Sequence, residues 1–514
     1  MRPLASLLIL CLAGCAAAIR GPALSPAQRF GRCLKSSVDG DVFLSSEQPA
    51  AVHEEAQLWN RLYSNSTPVA FVRPATVDGV AAAVKCAYGA GVKVVPKCGG
   101  HSFMGYSARD GTLGIDLSRL NKVTVSADRR TARVQGGTKQ GQLYYAVWKQ
   151  AGNTTAVVGG TCPTVGVGGF LQGGGLGFFT SQFGLACDQL IGLQMIDYQG
   201  RLVTADQRQN SNLLRAACGG GGGNFGIVTE FHIRLVQVPP LLTTSQLRLA
   251  GNQTAVDFML WFQSHVLNTA SHKLAFDLRL STTGKNVAQV QLNLRWPGRE
   301  AEMRAALVAL SLLGPSSPWA PVLNPKNTTF EAPWILTAVA DDKSSVPKTN
   351  TPEDLLRYEE IWATRRYLKE KSYCSLEPLP AATWARLFQS LARSKSAILV
   401  HRMGPKTAFA QVAPSATAFP WRKALFCLQH LKYFDNPEEV ASVIAGLKDA
   451  KDVLAPHMPG MPGYVNYIDQ DISPNPLFSY YGANLGWLRQ VKRQFDPEAR
   501  FSTNPLSIPP AAPQ

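Results

Sequence analysis

Nine of the nineteen residues from Gly159 to Gly177 are glycine. A tract of this kind loses more chain entropy on ordering than any other composition and has few side chains to pack in compensation. It orders usefully where backbone must approach something large and flat. Cys162 stands inside the run Gly159-Gly160-Thr161-Cys162-Pro163-Thr164-Val165-Gly166-Val167-Gly168-Gly169, which continues to Gly173-Gly174-Gly175-Leu176-Gly177. A structural cysteine is one reading of Cys162, but its place in this loop favours a functional one.

Two further glycine clusters follow the same logic. Lys97-Cys98-Gly99-Gly100-His101-Ser102, with Gly105 three residues on, comes directly after the apolar run Val92 to Val95. Paired glycines let backbone N–H groups turn inward around an anion, so this segment reads as a phosphate cradle, with an ordinary glycine turn as the alternative. Gly221-Gly222-Gly223-Asn224-Phe225-Gly226 matches G-x-G-x-x-G. That fingerprint must open a helix to bind a dinucleotide in the Rossmann manner, whereas Ile227 to Val236 reads as a strand. The Rossmann reading is therefore rejected.

The 514 residues exceed what one core usually organises, and 45% hydrophobic against 17% charged residues excludes a disordered chain. Val69 to Val72 reads as a strand. Thr76 caps a helix whose apolar face is Val77, Val80, Ala81 and Val84, with Gly89 and Gly91 as its stop. With Val92 to Val95 as a second strand, residues 69–96 form a βαβ unit. After Pro239 and Pro240 the texture changes. Leu274, Phe276, Leu278 and Leu280 alternate with polar residues, as do Val290, Leu292, Leu294 and Trp296, which predicts half-buried antiparallel strands. Helices around Glu300 to Leu313 and Pro380 to Arg393 are expected to cover one face of that sheet.

Arg2, the apolar run Leu4 to Ala13 and the small residues Ala16 to Ala18 read as a secretory signal cut after Ala18; Leu12-Ala13-Gly14-Cys15 also resembles a lipoprotein site. No later run is long enough to span a membrane. Asn-x-Ser/Thr triplets at Asn65, Asn153, Asn252 and Asn327 fit a glycosylated secreted protein. The net charge of +16 comes from scattered basic residues, which argues against nucleic acid and for solubility or an acidic extracellular matrix as partner. Beyond Cys11 and Cys15, eight cysteines remain, enough for four disulfides in an oxidising compartment. If one serves another chemistry, another must stay unpaired.

Five blocks in order resemble the berberine-bridge-enzyme-like branch of the vanillyl-alcohol-oxidase flavoproteins. They are Gly-Gly-His-Ser at 99–102, Cys-Pro-Thr-Val-Gly-Val-Gly-Gly at 162–169, Gly-Gly-Gly-Asn-Phe-Gly at 221–226, Tyr-Val-Asn-Tyr at 464–467 and Tyr-Tyr-Gly-Ala-Asn-Leu at 480–485. The resemblance spans nearly all of the mature chain. It implies an α+β fold, a PCMH-type FAD-binding domain of two α/β subdomains interrupted by a substrate domain with a helix-covered antiparallel sheet. The corresponding boundaries are a signal at 1–18, FAD-binding residues at 19–240, a substrate domain at 241–455 and a returning segment at 456–514.

It also implies FAD bound covalently, as 8α-histidyl at His101 and 6-S-cysteinyl at Cys162, and a disulfide between Cys33 and Cys86. Cys98, Cys187, Cys218, Cys374 and Cys427 are left without assigned partners. Further FAD contacts implied are Gly99, Gly100, Ser102, Gly105, Tyr106, Pro163, Thr164, Val165, Gly166, Gly168, Gly169, Gly173, Gly174, Asp188, Gly226, Ile227, Val228 and Asn484.

In alcohol-oxidising relatives the second aromatic of the Tyr-x-Asn-Tyr block is the base, which assigns that role to Tyr467. A phenol of ordinary pKa about 10 needs a positive or hydrogen-bonding neighbour to serve. Gln429 falls where the berberine bridge enzyme has its catalytic glutamate, and an amide cannot act as that base. The family lysine nearby is Cys427, followed by His430. Phe103 and Phe170 occupy positions often held by tyrosine and histidine in plant members, and Val165 matches a valine that accompanies oxygen reactivity. The resemblance thus implies a secreted oxidase passing electrons from a small alcohol, foremost a sugar, to O2. Gln291, Asn293 and Arg295 are candidate substrate contacts. The alternatives are a phenolic allyl alcohol or other specialised metabolite as substrate, or a catalytically silent extracellular flavoprotein.

Overall fold

The structure, a computed structural model, describes residues 24–323, 328–341 and 346–513. The expected signal, with Cys11 and Cys15, and Asn327 lie outside the described residues. Helix α1 (Pro26–Ser37) and strand β1 (Gly40–Leu44) lead into β2 (Ala70–Pro74) and helix α2 (Val77–Ala90). Thr76 caps α2 as expected, its Oγ1 accepting the Gly79 N–H at 3.2 Å. The helix runs through Gly89 and ends at Gly91, whose φ of +70° suits a residue without Cβ. Strands β3 (Val94–Lys97) and β4 (Leu113–Asp116) complete a sheet ordered β1-β2-β4-β3, in which β2, β4 and β3 are parallel. The expected βαβ unit is thus a wider crossover, with β4 inserted between its two strands. The Gly99–Gly105 loop leaves from the carboxyl end of β3, where α/β sheets hold ligands.

A second, antiparallel sheet takes β5 (Val123–Val125), β6 (Thr131–Gln135), β7 (Leu190–Ile196), β8 (Leu202–Asp206) and β9 (Ile227–Arg234) in the order β5-β6-β9-β7-β8. The third glycine cluster feeds β9, a strand, in accord with rejecting a Rossmann turn. Between β6 and β7 in sequence lies helix α3 (Val167–Gln172), which ends the Cys162 loop.

The chain from Leu242 to Phe434 contributes one seven-stranded antiparallel sheet. Its strands are β10 (Leu242–Ala250), β11 (Ala275–Thr282), β12 (Ala288–Pro297), β13 (Thr328–Ala332), β14 (Tyr367–Ser375), β15 (Ala397–Arg402) and β16 (Phe426–Phe434), in the order β13-β10-β12-β11-β15-β16-β14. Helices α4 (Asn252–Trp261), α5 (Ala381–Ser394) and α6 (Val440–Leu454) pack on β12, β11 and β14 respectively. Strand side chains alternate between faces, so Leu278, Leu280, Val290, Leu292 and Leu294 are buried while their polar neighbours face the other way. The expected helix at 300–313 stops earlier, at Ala309.

The tail comes back across the glycine loops. Helix α7 (Leu485–Phe495) carries the buried Lys492, which donates to the Asn224 carbonyl at 2.5 Å and pairs with Asp496 at 2.6 Å. Cys33–Cys86 ties α1 to α2 as the resemblance implied. Cys187–Cys218 and Cys374–Cys427 supply partners that the sequence left unassigned. Among the described residues three disulfides form rather than four, and neither Cys98 nor Cys162 belongs to one of them.

Candidate active site

The glycine loops, the helix-free face of the seven-stranded sheet and the returning tail enclose a cavity of about 830 Å³. That is the size of a cofactor or substrate site. Twelve of its lining residues are glycine, eleven of them from the three clusters and the twelfth Gly136 after β6. Gly100, Gly221 and Gly223 have φ of +66°, +85° and +76°, a backbone conformation that other residues resist.

A Cβ at Gly169 would meet no protein atom within 4 Å, so it would project into the cavity. The Tyr106 hydroxyl, also on this wall, is buried without a hydrogen-bond partner among the described residues. A backbone wall kept bare and a phenol awaiting an acceptor fit a large, flat, polar-edged cofactor such as FAD.

His101 lies on this wall with its ring stacked on Trp59, centroids 4.5 Å apart at 16°. Its Nε2 is 2.8 Å from Thr164 Oγ1, and the same hydroxyl is 3.5 Å from Cys162 Sγ. The two candidate attachment residues therefore share a neighbour although they are 61 residues apart in sequence. Burial, reinforced by the Lys139 charge, pushes the His101 pKa down to about 3, which keeps the imidazole neutral and nucleophilic. Burial pushes Cys98 up to about 12, which leaves that neighbouring thiol inert.

The wall includes Gly99, Gly100, His101, Ser102, Tyr106, Cys162, Val165, Gly166, Gly168, Gly169, Gly226 and Val228, all anticipated as cofactor contacts. Others stand one layer back. Thr164 supports His101, Pro163 accepts the Gly141 N–H at 3.0 Å, and Gly105 packs against Tyr63. Gly173 and Gly174 leave room for Asn466 and Tyr464, and Ile227 belongs to the core beneath. Asp188 is held by Arg422 through bonds of 2.7 and 2.8 Å, and the Asn484 amide donates to the carbonyls of Pro414 and Thr417. These two polar side chains brace loops rather than line the cavity.

The opposite wall is made of side chains. Asp277 and Arg279 on β11, Gln291 and Asn293 on β12, Leu399 and His401 on β15, and Gln429, Leu431 and Tyr433 on β16 face the cavity together with Tyr467 of the tail. Arg295 does not join them: it is buried, pairs with Asp341 and lies 4.1 Å over the Phe178 ring, because that ring covers the strand end.

Tyr467 touches Phe103 and Tyr464 edge-on, with centroids 6.0 and 4.9 Å apart. Burial holds its phenol well above the ordinary value. Its Oη lies 3.4 Å from His401 Nε2, whose Nδ1 is 3.3 Å from Asp277 Oδ1.

Gln429 is on the wall, its Nε2 donating to Glu370 Oε2 at 2.7 Å. Burial raises the Glu370 carboxyl well above the ordinary range, so it sits behind Gln429 as a neutral acid. His430 points the other way, as strand alternation demands, and bonds Ser396 at 2.7 Å. It is not the neighbour of Tyr467. Cys427, which the resemblance aligned with a family lysine, is locked to Cys374 directly across the β14–β16 ladder.

Sequence reading missed His401, Asp277, Glu370, Trp59 and the tail residues Phe501, Thr503, Asn504 and Leu506 that also line the cavity. The alternation around Leu278 already put Asp277 on the polar face of its strand; nothing in the local pattern singled out His401.

Fold and cavity define a flavin-dependent oxidoreductase, and the comparisons with known proteins agree. Residues 68–206 match an FAD binding domain, and residues 463–509 match the berberine and berberine-like segment. The FAD-linked oxidoreductase pynB of Aspergillus niger is 28% identical, covering 99% of this chain and 97% of its own. Physcomitrella patens BBE-like 1 superposes with a TM-score of 0.83 at 27% identity, over 94% of this chain and 100% of that one. Phl p 4, a grass pollen allergen, shares the fold with a TM-score of 0.84 at 24% identity, over 94% and 100%. The chain is a berberine-bridge-enzyme-like FAD-linked oxidoreductase.

Proposed function

We propose that this enzyme oxidises a primary or secondary alcohol of a carbohydrate, with Tyr467 as base and FAD held covalently by His101 and Cys162. When bound, FAD supplies a hydride acceptor that O2 regenerates with release of hydrogen peroxide. Tyr467 takes the hydroxyl proton, which raises electron density on the carbinol carbon and lets its hydride depart. The observation that carries the reading is the polar wall facing Tyr467: Gln291, Asn293 and Gln429 offer amide donors and acceptors suited to hydroxyl groups. Gln429 stands where carbon–carbon ring closure would require a carboxylate.

His101 and Cys162 against one Thr164 hydroxyl support double attachment. Val165 on the cavity wall supports oxygen as acceptor. Phl p 4 is described as having glucose dehydrogenase activity, which supports a sugar as substrate class. Three disulfides and the exposed Asn65, Asn153 and Asn252 support secretion. No helix among the described residues is long and apolar enough to cross a membrane.

Peroxide release across a panel of sugars, oligosaccharides and aromatic allylic alcohols tests the reaction. Stoichiometric peroxide from a sugar is expected; turnover of aromatic alcohols alone would overturn the substrate class, and no peroxide would overturn the oxidase reading. A yellow chromophore that survives denaturation is expected, and it should be released from the His101→Ala, Cys162→Ala double variant.

A further inference from the structure

The Tyr467 phenol is surrounded by groups that oppose its ionisation. Burial acts first, and Tyr464, Asp277 and Tyr433 add to it. The position from which the family's lysine would help is closed, because Cys427 is bonded to Cys374. Directly opposite Cys427, on the neighbouring strand β15, stands His401. Its side chain faces the cavity between Tyr467 and Asp277, with Nε2 toward the phenol and Nδ1 toward the carboxylate.

Resting on the reading of Tyr467 as base, we propose that His401, oriented by Asp277, receives the Tyr467 proton. The pair would thus do from β15 what β16 can no longer do.

The chemistry follows from the tautomer. A carboxylate at Nδ1 fixes the proton there and leaves the Nε2 lone pair for the phenol. Proton transfer from Tyr467 Oη to His401 Nε2 creates a phenolate and an imidazolium, and the Asp277 carboxylate compensates the new positive charge. The phenolate accepts the substrate hydroxyl proton, and the imidazolium proton leaves to water at the mouth of the cavity. One proton enters from the alcohol and one leaves, so Tyr467 ends as it began.

Both distances are at the long end of hydrogen bonding, as is common for proton-transfer chains before substrate is bound. Arg279, two residues beyond Asp277 on the same strand face, is a further charged group on this wall. His401 and Asp277 are positioning residues, since both act through Tyr467.

The test uses the holoenzyme variants His401→Gln and Asp277→Asn, with Tyr467→Phe as reference. Anaerobic flavin reduction by substrate is followed against pH. The tyrosinate ultraviolet absorbance of Tyr467 is titrated in parallel, as the difference between each enzyme and its Tyr467→Phe counterpart. His401→Gln should slow reduction by about a hundredfold at neutral pH, recover as pH rises, and move the tyrosinate titration upward by about one unit or more. Asp277→Asn should do the same to about a tenth of that extent in rate.

Unchanged pH profiles and tyrosinate titrations in both variants, with Tyr467→Phe strongly impaired, would overturn this inference alone. An unimpaired Tyr467→Phe would overturn the base assignment beneath it. Should His401→Gln lose its flavin, the Asp277→Asn titration decides.

Discussion

The glycine-rich wall of the cavity, the one proposed to hold the cofactor, comes from three contiguous segments, around 99–106, 160–169 and 221–228, and consists largely of backbone. The side-chain wall, the one proposed to face substrate, takes a few residues from each of β11, β12, β15, β16 and the tail. The first wall works by the absence of side chains, so almost any substitution there adds an obstacle. The second works through the identity of each side chain, so a substitution there changes chemistry while leaving the enclosure intact. The same cavity thus pairs an intolerant, generic surface with a tolerant, specific one.

The sharpest way to break that contrast is Gly169→Leu. A Cβ there meets no protein atom within 4 Å and the rest of the side chain extends into the cavity, so the variant should fold with unchanged far-UV circular dichroism and lose essentially all flavin absorbance. A fully loaded variant would show that the bare wall is not where the cofactor lies.

Tyr467→Phe is the counterpart on the other wall. It removes one oxygen, so flavin content should hold while substrate-driven flavin reduction falls by about 10²–10⁴-fold. Stopped-flow spectroscopy separates the two quantities, and a loss of flavin would put Tyr467 on the wrong wall.

Removing the Cys374–Cys427 bond by a double serine substitution should cost about 3–4 kcal/mol, given its sequence separation of 53. Denaturant titration measures this. Flavin content is expected to stay near wild type, because the bond braces the side-chain wall only.

The smallest effect is expected behind the sheet. Burial and the Lys371 charge push the His430 pKa down to about 3, against about 6.5 for a free histidine. A depressed histidine pKa means that the folded state resists a proton the unfolded state accepts. Its contribution to stability is therefore full above about pH 6.5 and is lost as pH falls toward about 3. His430→Gln should lessen the fall in Tm over that window and leave reduction rates unchanged, whereas a rate effect would connect the two faces of the sheet.

The glycine loops, the α2 cap, the antiparallel strands around Leu278 and Leu292 and the strand after Gly226 were all legible in the sequence. Each rests on neighbours within a few residues: Thr76 with Gly79, alternate leucines on one strand, consecutive glycines. The insertion of β4 between β2 and β3 was not legible, since pairing partners more than fifteen residues away leave no local trace. Arg295 shows the limit of periodicity, which put it on the correct face of β12 but could not reveal that Phe178 covers that end. His430 was one residue from the cavity in sequence and on the opposite side in space, since successive strand residues face opposite ways.

By itself, the sequence pointed to backbone brought close to a flat ligand, through nine glycines in nineteen residues, and to Tyr467 and Gln429 as groups on offer for chemistry. Only the tertiary structure decided what stands beside them. Cys374 meets Cys427 across 53 residues of separation, and His401 meets Tyr467 across 66. Those meetings depend on strand order and register, which are set by the packing of the whole sheet rather than by any stretch of chain.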